Sequence, residues 1–125
     1  MNANILVVDD SSFARRTLSG VLKELGHSVE EAADGAEALE RYFLHRHDLV
    51  VLDMVMTGMY GTEVLTKLRA INPEARVIVV TADIQQATVD EVRAAGAAGF
   101  VNKPVNRQQM AEAVATILGG GNTWS

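Results

Sequence analysis

Cysteine is absent from this chain of 125 residues, which excludes a disulfide framework and thiol chemistry and suits a reducing compartment. Positive charge is scarce. Eleven Lys and Arg stand against sixteen Asp and Glu, for a net charge of −5. With no basic surplus to release counterions, nonspecific nucleic-acid binding by this chain alone is not expected. Met1-Asn2-Ala3-Asn4 contributes no basic residue ahead of the first apolar run, which makes a poor signal peptide. No apolar run approaches the roughly 20 residues that a membrane-spanning helix needs, so no membrane association is expected. Low-complexity sequence is lacking apart from three glycines at 119–121. What remains is a chain of one-domain length with 48% hydrophobic content, enough for a real core. A soluble cytoplasmic domain is the expectation.

The hydrophobic content is concentrated in short runs that end in polar residues. Ile5–Val8 is followed by Asp9-Asp10, Val50–Leu52 by Asp53, and Val77–Val80 by Thr81. A weaker run, Gly99-Phe100-Val101, leads to Asn102 and Lys103. Near-continuous apolar runs of this length read as strands covered on both faces. Between them lie helical patterns. Ser11 or Ser12 caps a first helix with Phe13, Ala14, Thr17, Leu18, Val21, Leu22 and Leu25 inward and Arg15 outward, and Gly26 ends it. His27–Glu31 is a short second strand. Asp34 with Glu37 is a capping box for a helix with Ala36, Leu39, Tyr42 and Phe43 inward. The third helix carries Val64, Leu65, Leu68 and Ile71 and stops at Asn72-Pro73. The fourth opens at Asp83 with Gln86 three residues on. Met110, Ala111, Val114, Ile117 and Leu118 stripe the last. Residues 119–125 read as a flexible tail or the start of a linker, with Trp124 not assigned a role. His45 and His47, two apart, are expected to point different ways at the surface without binding metal.

Five βα units in succession imply a parallel sheet with right-handed crossovers and helices on both faces. Ligands of such sheets bind beyond the carboxyl ends of the strands. Asp9, Asp10, Asp53, Thr81 and Lys103 all lie there, which gathers three carboxylates, a hydroxyl and an ammonium. Like charges about 4 Å apart repel by roughly 4 kcal/mol at an effective dielectric near 20, so such a cluster retains a proton or holds a cation. Hard oxygen donors suit Mg²⁺. A carboxylate nucleophile beside a metal, a lysine and a hydroxyl is a set suited to phosphoryl transfer.

Val8-Asp9-Asp10-Ser11, Leu52-Asp53-Met54, Met56-x-Gly58-Met59-x-Gly61, Val80-Thr81-Ala82 and Lys103-Pro104 occur in the order and spacing of one family. Over residues 3–118 the chain resembles a response-regulator receiver domain of the CheY-like superfamily. The resemblance implies a flavodoxin-like doubly wound (βα)5 fold with strand order 2-1-3-4-5. It implies one receiver domain over 1–118, with Asp53 as phosphoacceptor and Asp9, Asp10, Asp53 and the Val55 backbone carbonyl as the Mg²⁺ site. It makes Thr81 and Lys103 the contacts of the phosphoryl group, Phe100 with Thr81 a conformational switch, and the Lys103–Pro104 bond cis. Its implied partners are a sensor histidine kinase or histidine phosphotransfer protein, a downstream effector met by the fourth helix, fifth strand and fifth helix, and a phosphatase. The implied state is a monomer or weak phosphorylation-dependent dimer. Thr57 and Tyr60 depart from the family's usual loop, and Val55 and Asp83 flank the site at positions that tune dephosphorylation.

Other readings stay open at this point. A phosphohydrolase of the haloacid dehalogenase type wants Asp-x-Asp after its first strand, where this chain has adjacent aspartates. An FMN carrier wants a Ser/Thr/Gly loop there. A receiver-like interaction module that is never phosphorylated, or a module cut from a larger regulator with an output domain, would share the pattern. Thr88, Val92 and Ala95, with Ile84, give the fourth helix small or polar inward residues, which points to weak anchoring.

Overall fold

The computed structural model describes residues 2–56, 58–82 and 85–124. Strands and helices alternate throughout: β1 (Asn4–Val8), α1 (Ser12–Glu24), β2 (Ser28–Ala32), α2 (Gly35–His45), β3 (Leu49–Asp53), α3 (Gly61–Ile71), β4 (Val77–Thr81), α4 (Gln86–Ala94), β5 (Gly99–Asn102) and α5 (Arg107–Leu118). The strands form one parallel sheet in the order β2-β1-β3-β4-β5. The fold is therefore the flavodoxin-like arrangement that the sequence implied.

Side chains alternate across a strand, so each apolar run feeds two cores. Leu6, Val8, Val50, Leu52, Val77 and Val79 pack with Val64, Leu65 and Leu68 of α3, Ala38 and Tyr42 of α2, and Val92 of α4. Ile5, Val7, Leu49, Val51, Ile78 and Val80 pack with Leu18 and Leu22 of α1 and with Met110, Val114 and Ile117 of α5. The sheet thus lies between two layers of helices, and every residue of β3 and β4 is buried.

β3 and β4 run one residue further than the apolar pattern alone. Asp53 is in register with Val80, and Thr81 with Asn102. The two polar side chains are therefore the last rungs of the ladder and share its rigidity.

Several helix ends follow local chemistry. Ser11 Oγ accepts from Ala14 N at 3.3 Å and caps α1. Asp34 Oδ1 accepts from Glu37 N at 2.8 Å, and Glu37 Oε1 reaches back to Ala33 N. Gly26 takes φ 94° past the end of α1, a conformation that a side chain disfavours. α4 is flanked by Gln85, which makes no side-chain cap bond, and Gln86 donates instead to Asp90 Oδ1. The expected cap Asp83 lies outside the described residues, as do Ile84 and Thr57.

The helix faces correct the sequence reading in places. Phe13 is 81% exposed and Phe43 63%, and Thr17 and Ala36 are exposed as well. α2 buries Gly35, Ala38 and Tyr42, which centres its inward stripe away from Phe43 and Ala36. α1 buries Leu18, Ser19 and Leu22, and Phe13, at its first turn, overhangs the sheet edge beside Pro104 and Val105. Arg15 is not outward: its Nε bonds Glu31 Oε1 at 2.9 Å, and its Nη1 donates to Asp9 O at 2.8 Å.

Residues 119–124 turn back over the sheet edge. Thr123 N donates to Ala98 O at 3.1 Å, and Trp124 Nε1 donates to Ala97 O at 2.9 Å. The indole stacks on Phe100 with centroids 6.0 Å apart, under the Arg93 guanidinium.

Candidate functional site

The carboxyl ends of β1, β3, β4 and β5 converge, and with them the residues that follow each apolar run. Asp9 is 1% exposed, Asp53 7% and Thr81 4%, whereas Asp10 is open to solvent. Carboxylate oxygens of Asp9, Asp10 and Asp53 all lie within 4.8 Å of one another. Lys103 reaches in from beyond β5, its Nζ 3.0 Å from Asp53 Oδ1 and 3.6 Å from Asp9 Oδ2. One ammonium thus lies within 4 Å of two of the three carboxylates.

Backbone contacts fix these groups. Asp9 Oδ1 accepts from Ser11 N at 2.9 Å, so Asp9 braces the entry to α1 while Ser11 caps it. Lys103 N donates to Thr81 O at 2.8 Å, and the Lys103–Pro104 peptide is cis. Met54 N donates to Val80 O, and Gly61 N closes the β3–α3 loop by donating to Met54 O at 2.8 Å. A Cβ at Gly61 would meet Asp53 O and Met54 Cα, each at 2.8 Å, so the start of α3 approaches the Asp53 backbone as only glycine allows.

Burial of Asp53 disfavours its charge and raises its pKa; Lys103 opposes the rise, while Asp9 and Asp10 add to it. Burial disfavours the Lys103 ammonium too, but the hydrogen bond and charge of Asp53, with Asp9, outweigh it and hold the lysine above its ordinary value. The two shifts agree: the site has a deficit of positive charge, one ammonium against three carboxylates.

That deficit bears on the metal. Asp9 Oδ2 is buried and accepts no hydrogen bond among the described residues, with the Lys103 ammonium 3.6 Å away. A buried carboxylate oxygen without a donor is costly unless a cation meets it. The donors are all oxygen, which fits Mg²⁺. Val55 follows Asp53 by two residues with its side chain 64% exposed, which leaves its backbone in the loop that rims the cluster.

Of the other expected residues, Phe100 sits half-buried on β5 against the α3–α4 core and is stacked by Trp124. Tyr60 is exposed and flanks α3 as its N-cap residue without a side-chain cap bond. Met54 and Met56 are packed in the core, and Met59 is packed against it. Sequence reasoning did not find Arg15, which grips the Asp9 carbonyl. The i, i+4 spacing of Arg15 from Ser11, one turn into the helix beside the cluster, was the available signal.

The receiver-domain family model, described as "Response regulator receiver domain", matches residues 5–115. Among curated relatives, the chemotaxis protein CheY of Bacillus subtilis is 37% identical over 119 residues, covering 94% of this chain and 99% of that protein. The sporulation initiation phosphotransferase F of the same organism is 36% identical, covering 94% and 95%. A solved CheX–CheY–BeF3–Mg complex from Borrelia burgdorferi superposes with a TM-score of 0.88 at 32% identity, covering 91% of this chain and 87% of that one. The motifs, the strand order and the cluster at the sheet's carboxyl edge agree with these matches, and the chain belongs to the response-regulator receiver domains of two-component signalling.

Proposed function

We propose that this receiver is a phosphorylation-controlled switch in which Asp53 is the phosphoacceptor. The observation that carries the reading is the single lysine held between two buried aspartates, Asp9 and Asp53, at the ends of neighbouring parallel strands. A carboxylate oxygen of Asp53 attacks the phosphorus of a phosphohistidine. The new O–P bond gives an acyl phosphate, and the broken P–N bond returns its electron pair to the imidazole. Lys103 and the Thr81 hydroxyl meet the phosphoryl oxygens, and Arg15 and Ser11 hold Asp9 in place. Mg²⁺, when bound by Asp9, Asp10, Asp53 and the Val55 carbonyl, supplies charge neutralisation for the transferring group. The relative crystallised with BeF3 and Mg supports this assignment by analogy. Water attack on the acyl phosphate restores Asp53 and releases inorganic phosphate.

The donor is a sensor histidine kinase or histidine phosphotransfer protein, and the reader is an effector that docks on α4, β5 and α5. Phe100 lies on that face next to Thr81's strand, placed to couple the phosphoryl contact to the surface. Among the described residues no helix is long and apolar enough to cross a membrane. The reading is tested by intact mass after incubation with acetyl phosphate and Mg²⁺. Wild type gains one phosphoryl group and Asp53→Asn gains none. An adduct that survives the substitution removes Asp53 from this role, and sustained turnover of a phosphate ester points to a hydrolase instead.

A further inference from the structure

Among the described residues a second set of metal-ligating side chains lies away from the acidic edge, formed by Glu30, His45 and His47. We infer that these three residues form a transition-metal site of the zinc class, separate from the Mg²⁺ cluster.

The site exists because of one backbone reversal. α2 ends at His45, and Arg46 takes the left-handed conformation, φ 47° and ψ 59°, with its N–H donating to Tyr42 O at 2.8 Å. On a continuing helix, residues two apart diverge. Across this reversal His45 and His47 converge on the same carboxylate oxygen. His45 Nδ1 lies 2.9 Å from Glu30 Oε1 and His47 Nε2 lies 2.6 Å from it. His45 is at the surface as expected, but the expectation that the two imidazoles point apart and that His47 is a surface group is corrected: the His47 side chain is 3% exposed.

The donor set is two imidazoles and a carboxylate, which suits Zn²⁺, with a fourth position for water. The other oxygen of Glu30 is held by Arg41 Nη1 at 2.7 Å, which orients the carboxylate as an outer-sphere partner does. The ring of His47 stacks on Tyr42, whose hydroxyl accepts from Asn72, so the most buried ligand is locked. The open side of the triad borders a depression of about 520 Å³ edged by Ser28, Val29 and Leu44, with room for the water ligand.

Two features limit affinity. Tetrahedral bonds of roughly 2.0–2.1 Å set donors about 3.3 Å apart, so both spacings must open: the exposed His45 side chain can move from 2.9 Å, but with His47 held against Tyr42 the 2.6 Å spacing opens only if the Glu30 carboxylate shifts. His47 Nδ1 is buried with no hydrogen-bond partner, and lack of an outer acceptor of this kind costs roughly 10–100-fold. The metal would staple the edge strand β2 to the end of α2, toward the amino ends of the strands and away from Asp53.

The test is calorimetric titration of the tag-free, chelator-treated full chain with ZnCl2 in excess Mg²⁺, which occupies the acidic cluster. One equivalent of Zn²⁺ is expected, with affinity falling more than roughly tenfold in His45→Ala and in Glu30→Gln. His45 is exposed and its removal leaves the core intact, so folding of that variant, checked by circular dichroism, is not in question. No saturable binding, or binding unchanged in both variants, overturns the site. Loss of binding in Asp53→Asn with retention in His45→Ala also overturns it, by placing the Zn²⁺ in the acidic cluster.

Discussion

Removing the charge of Asp53 should stabilise this protein when no divalent cation is present. Asp53 sits 3.0 Å from the Lys103 ammonium, and at an effective dielectric of 20 that attraction is worth about 5.5 kcal/mol. Carboxylate oxygens of Asp9 and Asp10 lie within 4.8 Å, so each repels Asp53 by at least about 3.5 kcal/mol, about 7 kcal/mol together. The balance runs about 1.5 kcal/mol against the carboxylate. Burial adds to this, and solvent screening at the exposed Asp10 subtracts from it. Asp53→Asn keeps an oxygen for Lys103 and removes both repulsions, so a gain of about 1–3 kcal/mol follows, or roughly 3–10 °C in Tm. The pH sign is fixed by the raised pKa. Stability from the protonated carboxyl is fully present below the unfolded value near 3.8 and is lost as pH rises through the higher folded value. The advantage of Asp53→Asn is therefore absent below about pH 4 and grows as pH rises through the higher folded value. Saturating Mg²⁺ should narrow the gap by binding wild type more tightly. Thermal unfolding followed by circular dichroism in chelator, from pH 4 to 8, measures all of this. A variant less stable than wild type at neutral pH, or a gain equally large at pH 4, would refute the electrostatic reasoning.

Two further outcomes are expected. Trp124 is the one tryptophan of the chain and stacks on Phe100, so acetyl phosphate with Mg²⁺ should change its emission in wild type and leave it unchanged in Asp53→Asn; an emission that ignores phosphorylation detected by mass would separate Phe100 from the switch. α4 buries Val92 alone among its described residues, whereas α5 buries Met110, Ala113, Val114 and Ile117, so α4 amides should exchange hydrogen markedly faster than those of α5; equal protection would count against α4 as the low-stability element.

The sheet and its acidic edge were legible in the sequence because parallel strands impose two conditions at once. Both faces are covered, so the runs are almost wholly apolar, and all strands point one way, so whatever follows each run gathers at one edge. Asp9, Asp53, Thr81 and Lys103 needed only that geometry. The misread positions sit where a single dihedral or a neighbouring element decides. Phe13 and Phe43 lie at the margins of their helical stripes, where one step of about 100° separates core from solvent. Arg15 reads as a surface arginine until α1 is laid beside β2, which brings Glu31 and the Asp9 carbonyl within reach.

His47 shows why pattern reasoning stops at helix ends. The alternation that separates residues i and i+2 holds only while the backbone stays right-handed. Arg46 leaves that region, and nothing in its side chain announces it: left-handed C-caps usually fall to glycine or asparagine. A non-glycine residue held at positive φ carries a conformational cost that packing must offset. Here the offsetting contacts are visible: the Arg46 N–H on Tyr42 O, the His47 ring on Tyr42, and two imidazoles on Glu30. The same contacts that hold the reversal in place therefore create the triad, and a metal bound there would exchange the two imidazole–carboxylate hydrogen bonds for ligand bonds while leaving the Arg46 N–H and the Tyr42 stacking to hold the turn.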